Sequence, residues 1–190
     1  ALRSPADFKA KIISNTLEGL ELEINAKLIW FRMIGAFNAY NLLAVLGVTV
    51  LLEEEEDEVL RELSGIRGAK GRFDRISIAG ITAIVDYAHT PDALDNVLKT
   101  INGARTGGEQ LITVVGCGGN RDKTKRPVMA KIAVQESDKA ILTSDNPRFE
   151  EPEEILKDMQ AGVGPSEIRK TLSIVDRREA IKTACMLSKK

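Results

Sequence analysis

Histidine is almost missing from this 190-residue chain: His89 is the only one. A metal centre built on several imidazoles is therefore excluded, and a Ser-His-Asp arrangement could form around that one position alone. Cysteine is nearly as scarce. Cys117 and Cys185 lie far apart, which argues against a disulfide framework and for a reducing, cytoplasmic setting. No apolar run approaches the ~20 residues of a membrane-spanning helix, and the first residues carry no apolar signal region, so membrane insertion is not expected. Charge of one sign is lacking too. Lys and Arg total 27 against 28 Asp and Glu, so no global field recruits nucleic acid.

What is present divides into two parts. In Leu20-Glu-Leu-Glu-Ile24 apolar and charged residues alternate with the period of a half-buried strand, Phe8, Ala10 and Ile12 begin a similar alternation, and 27–34 is a further apolar stretch. Together these predict antiparallel sheet. Leu42, Leu43 and Leu46 fall at helical spacing, predicting a helix over 38–46 with Gly47 as its stop. A second helix is expected over 53–63, its acidic start complementing the positive end of the helix dipole. Three glycines within 64–71 suit a linker, placing a domain boundary near residue 73.

Beyond it a β-loop-α rhythm sets in. Strands are expected at 81–85, 111–115, 139–143 and 172–175, and helices at 91–101, 127–136, 152–160 and 176–187. The first three strands are continuously apolar, as a parallel strand covered on both faces must be, and a proline opens each of the first three helices. The fold class is α/β, with a Rossmann-like, doubly wound, mostly parallel sheet.

Ligands of such sheets bind beyond the carboxyl ends of the strands, so the strand-to-helix loops carry the chemistry. The first, Asp86-Tyr-Ala-His-Thr-Pro-Asp92, begins with an acid able to accept from ribose hydroxyls. In the second, Gly116, Gly118 and Gly119 precede four cations, Arg121, Lys123, Lys125 and Arg126, against one Asp122. It suits an anion, or is a solvated basic loop; it is neither a Walker A sequence nor a GxGxxG fingerprint. In the third, Asp145, Asn146, Pro147 and Arg148 could read a zwitterion, the guanidinium taking a carboxylate and Asp145 an ammonium, or could form a simple turn with Arg148 in solvent.

Taken together, Asp-Tyr-Ala-His-Thr-Pro-Asp, Gly-Cys-Gly-Gly-Asn-Arg-Asp-Lys and Asp-Asn-Pro-Arg, with Gly35-Ala-Phe-Asn-Ala-Tyr-Asn41 and Gly71-Arg72 upstream, resemble the Mur ligase family over nearly the whole chain. The likeness is greatest to the branch that adds meso-diaminopimelate to UDP-N-acetylmuramoyl-L-alanyl-D-glutamate. That resemblance implies an ATP-dependent, Mg²⁺-assisted amide ligation through an acyl phosphate. By position, Asn38 and Asn41 would serve adenine and Asp86, Tyr87 and His89 the rest of the nucleoside. Arg72 would act catalytically on the nucleotide phosphates, and Arg121 with Asp145, Asn146, Pro147 and Arg148 would bind diaminopimelate. Arg148 favours diaminopimelate over lysine, because only the former brings a distal carboxylate.

The family's Gly-Thr-Asn-Gly-Lys-Thr phosphate loop, its Mg²⁺ ligands and its closing Gly-Lys-Gly-His-Glu segment are not found in these 190 residues. Residues 1–72 would then be the end of the central ATP-binding domain and 73–190 most of the carboxy-terminal domain, partnered by further domains of the same polypeptide. The chain by itself is expected to be inactive. The competing readings are a non-catalytic α/β module that binds an amino acid, and a related ligase that adds lysine or extends a folate polyglutamate.

Overall fold

The computed structural model describes Leu2 and residues 6–188. Two compact units result, one formed by residues 1–74 with 100–106 and the other by 75–99 with 107–190.

In the first unit, β1 (Ala10–Asn15), β2 (Leu20–Ile24) and β3 (Lys27–Phe31) form an antiparallel sheet in the order β1-β2-β3. The period-2 alternation has the predicted consequence: Leu20, Leu22 and Ile24 are buried and the two glutamates between them are not. Helices α1 (Ala36–Leu51) and α2 (Glu56–Gly65) bring Leu42, Leu43, Leu46, Leu60 and Leu63 onto that apolar face. Removing these side chains from water supplies ~1.5–3 kcal/mol each.

Two expectations change here. Gly47 does not stop α1, which continues to Leu51; a Cβ there would lie 3.3 Å from the Phe8 ring, so the glycine serves packing against β1's approach segment. The acidic run also starts too early for its helix. Glu53 has φ 64° and only Glu56, Asp57 and Glu58 occupy the first turn of α2.

In the second unit, β6 (Ile112–Cys117), β7 (Lys139–Ser144) and β8 (Thr171–Ser173) form a parallel sheet in that order. Helices α4 (Lys125–Gln135) and α5 (Pro152–Gln160) follow β6 and β7, and α6 (Arg177–Leu187) follows β8 after Asp176, whose side chain caps it by accepting from Glu179 N. β7 runs through the core: Ala140, Ile141 and Leu142 are fully buried, and Leu142 packs with Met129, Ala133, Ile155 and Met159.

The remaining predicted strand, β5 (Ile81–Val85), behaves differently. It pairs with β4 (Asp74–Ile78), an element the sequence reading does not contain, and neither strand has a buried residue. A continuous β-branched run cannot by itself distinguish a covered parallel strand from one arm of a hairpin. The structure settles it at Ala79-Gly80: both residues have positive φ, as a tight two-residue hairpin turn demands. After β5 comes α3 (Pro91–Ala104), with Pro91 first, whereas Pro127 sits third in α4. Among the described residues no helix is long and apolar enough to cross a membrane.

Candidate ligand site at the strand ends

β6 and β7 are parallel and in register to their last residues, Cys117 opposite Ser144, so the two loops that leave them emerge side by side. Their backbones then lock together. Gly119 N donates to Asn146 O at 2.8 Å, and a Cβ on Gly119 would overlap the Pro147 carbonyl, with the carbonyl carbon 2.6 Å away. Glycine is the only residue that admits this approach.

Side chains join the same loops. Arg148, held at φ 53°, donates from Nη1 to Gly119 O at 2.5 Å, and Asn120, at φ 49°, accepts from Phe149 N at 3.0 Å through Oδ1. A Cβ on Gly118 would stand 3.0 Å from Arg148 Nη1 and 4.0 Å from Arg121 Cγ. The Arg148 guanidinium and the aliphatic stem of Arg121 thus flank one glycine.

Of the expected zwitterion readers, Arg121, Asp145, Asn146 and Arg148 are exposed and Pro147 is half-buried. Asp145 stands 3.5 Å from Arg177, both about half exposed. Such a pair contributes ~0–1 kcal/mol, so an incoming ammonium can replace it at little cost.

The first loop is drawn to this edge by Lys125, whose Nζ donates to His89 O at 2.7 Å. Asp86 Oδ1 accepts from Ala88 N at 2.7 Å, His89 Nδ1 lies 3.0 Å from Tyr87 O, and the Tyr87 and His89 rings meet edge-on at 5.4 Å.

The other residues expected to serve the nucleotide belong to the first unit. Asn38 donates to Ile34 O at 2.8 Å, and Asn41, exposed on α1, donates to Asn38 Oδ1 at 3.1 Å. That leaves the Asn41 carbonyl and second N–H for an adenine edge. Arg72 is exposed, its backbone N–H donating to Ala69 O. These residues do not fit a metal ion: among the described residues no three His, Cys, Asp or Glu converge.

The sequence reading missed the group beneath the loops. Arg126, read as one cation of the basic run, is 0% exposed; it grips Glu150 with both terminal nitrogens, at 2.9 and 3.0 Å, and Asp158 at 2.8 Å. Glu150 also receives Lys123 at 3.0 Å and the Asn120 N–H. Nothing in the sequence distinguishes Glu150 from neighbouring Glu151, Glu153 and Glu154; the readable hint was a basic run lying one β-loop-α unit before an acidic one.

The Arg126 fork, with Asn120 N–H and Lys123, pulls the Glu150 carboxyl down to about 2 from its ordinary 4.5. A depressed acid stabilises the fold fully above its unfolded value, and that contribution disappears as pH falls from 4.5 towards 2. Glu150→Gln is therefore expected to flatten the acid limb of stability in that window; an unchanged limb in acid titrations followed by circular dichroism would refute the assignment. Cys117 is pushed up by burial and touches Met129 Sδ, which makes it a core thiol rather than a nucleophile.

Comparison with known proteins shows the family. Residues 71–190 match the family described as Mur ligase, glutamate ligase domain. The UDP-N-acetylmuramoyl-L-alanyl-D-glutamate--2,6-diaminopimelate ligase of Cytophaga hutchinsonii is 58% identical over 99% of this chain and 39% of its own length. The protein of the same name from Bacteroides thetaiotaomicron is 57% identical over 100% of this chain and 40% of its own length. A solved structure of such a ligase, 36% identical, superposes with a TM-score of 0.71 over 98% of this chain and 39% of that one. The chain thus spans about two fifths of the length of the relatives it matches.

Proposed function

The chain belongs to the Mur ligase family, and on that premise we propose that its whole protein joins meso-diaminopimelate to the D-glutamate carboxylate of UDP-N-acetylmuramoyl-L-alanyl-D-glutamate. The reaction forms an amide. ATP transfers a phosphoryl group to that carboxylate, the amine of diaminopimelate attacks the acyl phosphate, and ADP and phosphate leave. Residues 1–72 serve as the end of the central ATP-binding domain and 73–190 as most of the carboxy-terminal domain, in a protein working in the cytoplasm.

In this reading Arg121 and Arg148 take a carboxylate of diaminopimelate and Asp145 and Asn146 its ammonium, while Pro147 holds their loop. On the second unit Asp86, Tyr87 and His89 serve the ribose side of the nucleotide; on the first, Asn38 and Asn41 serve adenine. Arg72 meets the phosphates. Mg²⁺ would supply charge neutralisation at the phosphoryl group if bound, and the described residues offer no cluster of three His, Cys, Asp or Glu to hold it. Positioning and electrostatics carry such a transfer.

The observation that carries the reading is the pair of arginines held around Gly118 by two interlocked loops. In the full-length enzyme, meso-diaminopimelate should drive ADP release and lysine should do so poorly. Arg148→Ala is expected to raise KM for diaminopimelate by about 10²-fold, since a charge-assisted bidentate contact is lost, with KM for ATP near its original value. Equal use of lysine and diaminopimelate by the unaltered enzyme would overturn the assignment. The 190-residue chain alone should release no ADP.

A further inference from the structure

Glu150 belongs to no motif that names a ligand contact, yet it sits where the ligand loops are fastened. It follows Arg148 by two residues, and its half-sheltered carboxylate, 15% exposed, gathers three donors from the preceding loop and helix: the Asn120 N–H, Lys123 Nζ and the Arg126 fork. Arg126 also donates to Gly118 O at 3.4 Å, so the guanidinium touches the glycine that Arg121 and Arg148 flank. One ion network therefore sets the spacing between the segment carrying Arg121 and the segment carrying Arg148.

We propose that Glu150, through Arg126, is a positioning residue for the amino-acid substrate: it holds the Arg121 and Arg148 loops at the separation that the carboxylate and ammonium of diaminopimelate require. It touches no substrate itself. The inference rests on the function proposed above, and the chemistry favours it over a role in fold stability alone. Of the two acids on Arg126, Asp158 lies within α5 and, among the described residues, binds no loop atom, whereas Glu150 binds two residues of the ligand loop besides the arginine. A network needed only to neutralise a buried guanidinium has no use for the Asn120 N–H.

The two acids give the test. In the full-length enzyme, Glu150→Gln should raise KM for meso-diaminopimelate ten-fold or more, because misplacement of a binding group by about 1 Å costs up to 10²-fold, while KM for ATP and for the UDP-muramoyl dipeptide stays within two-fold. Asp158→Asn should lower the melting temperature and leave KM for diaminopimelate unchanged. If Glu150→Gln does not fold, Arg126→Lys, which keeps the charge and loses the fork, is read by the same KM criterion. Unchanged KM for diaminopimelate in the foldable variant, or an equal rise with Asp158→Asn, overturns the proposal. An unaltered enzyme that shows no diaminopimelate-dependent ADP release overturns the proposed function first, and this inference with it.

Discussion

Gly119→Ala should reduce diaminopimelate-dependent turnover of the full-length enzyme by about 10²-fold or more. The reason is steric and local. The added methyl would overlap the Pro147 carbonyl, with the carbonyl carbon only 2.6 Å away, and backbone on both sides leaves no flexible side chain to yield. The loops must separate. Separation breaks the Gly119 N–H bond to Asn146 O and the Arg148 bond to Gly119 O, and with them the arrangement of Arg121 and Arg148 around Gly118. ATP binding depends on other residues and should persist, so nucleotide titration separates a displaced amino-acid site from an unfolded protein. Gly103, in α3 with nothing within 4 Å of its Cβ position, supplies the control. Gly103→Ala should be neutral or slightly stabilising, as alanine is in helices generally. Retention of diaminopimelate turnover in Gly119→Ala would mean that the interlocked loops are not the binding site.

This steric argument also marks where the sequence could and could not be read. The glycines of the second loop were legible as backbone freedom, and Asp145 to Arg148 as a charged turn beside them, because charge type and loop position are local properties. The contact that makes Gly119 necessary involves Pro147, 28 residues on, and only the parallel register of β6 and β7 brings the two together. The same holds for Arg126. Its burial depends on Glu150 and Asp158 arriving from a later loop and helix, so in the sequence it counts as surface charge.

The fold divides along the same line. β2 and α5 were legible to the residue, since a strict LELEI alternation and a proline followed by an amphipathic turn are complete local signals. β4 was overlooked and β5 assigned to the wrong environment, because hairpin and parallel strands share composition and differ only in partner. The Ala79-Gly80 turn, with alanine in a left-handed conformation, lacks the Asn-Gly signature that would have announced it.

Leu142→Ala should lose about 3 kcal/mol of stability and lower the melting temperature of the second unit by roughly 10 °C. Leu142 is fully buried on the central strand, among Met129, Ala133, Ile155 and Met159 from both flanking helices. Elements fixed by parallel hydrogen bonds on both sides of β7 collapse poorly into a void, so the cavity term adds to the lost transfer energy. The site loop begins three residues later, yet its geometry is set by the Gly119, Arg148 and Glu150 contacts rather than by the Leu142 side chain. Well below the transition, KM for diaminopimelate should therefore stay within two-fold while thermal inactivation accelerates. Glu150→Gln should show the reverse balance, with a large KM effect out of proportion to its change in melting temperature. If Leu142→Ala instead raised KM as strongly as Glu150→Gln, the ligand loops would take their positions from the core strand and not from the ion network beneath them.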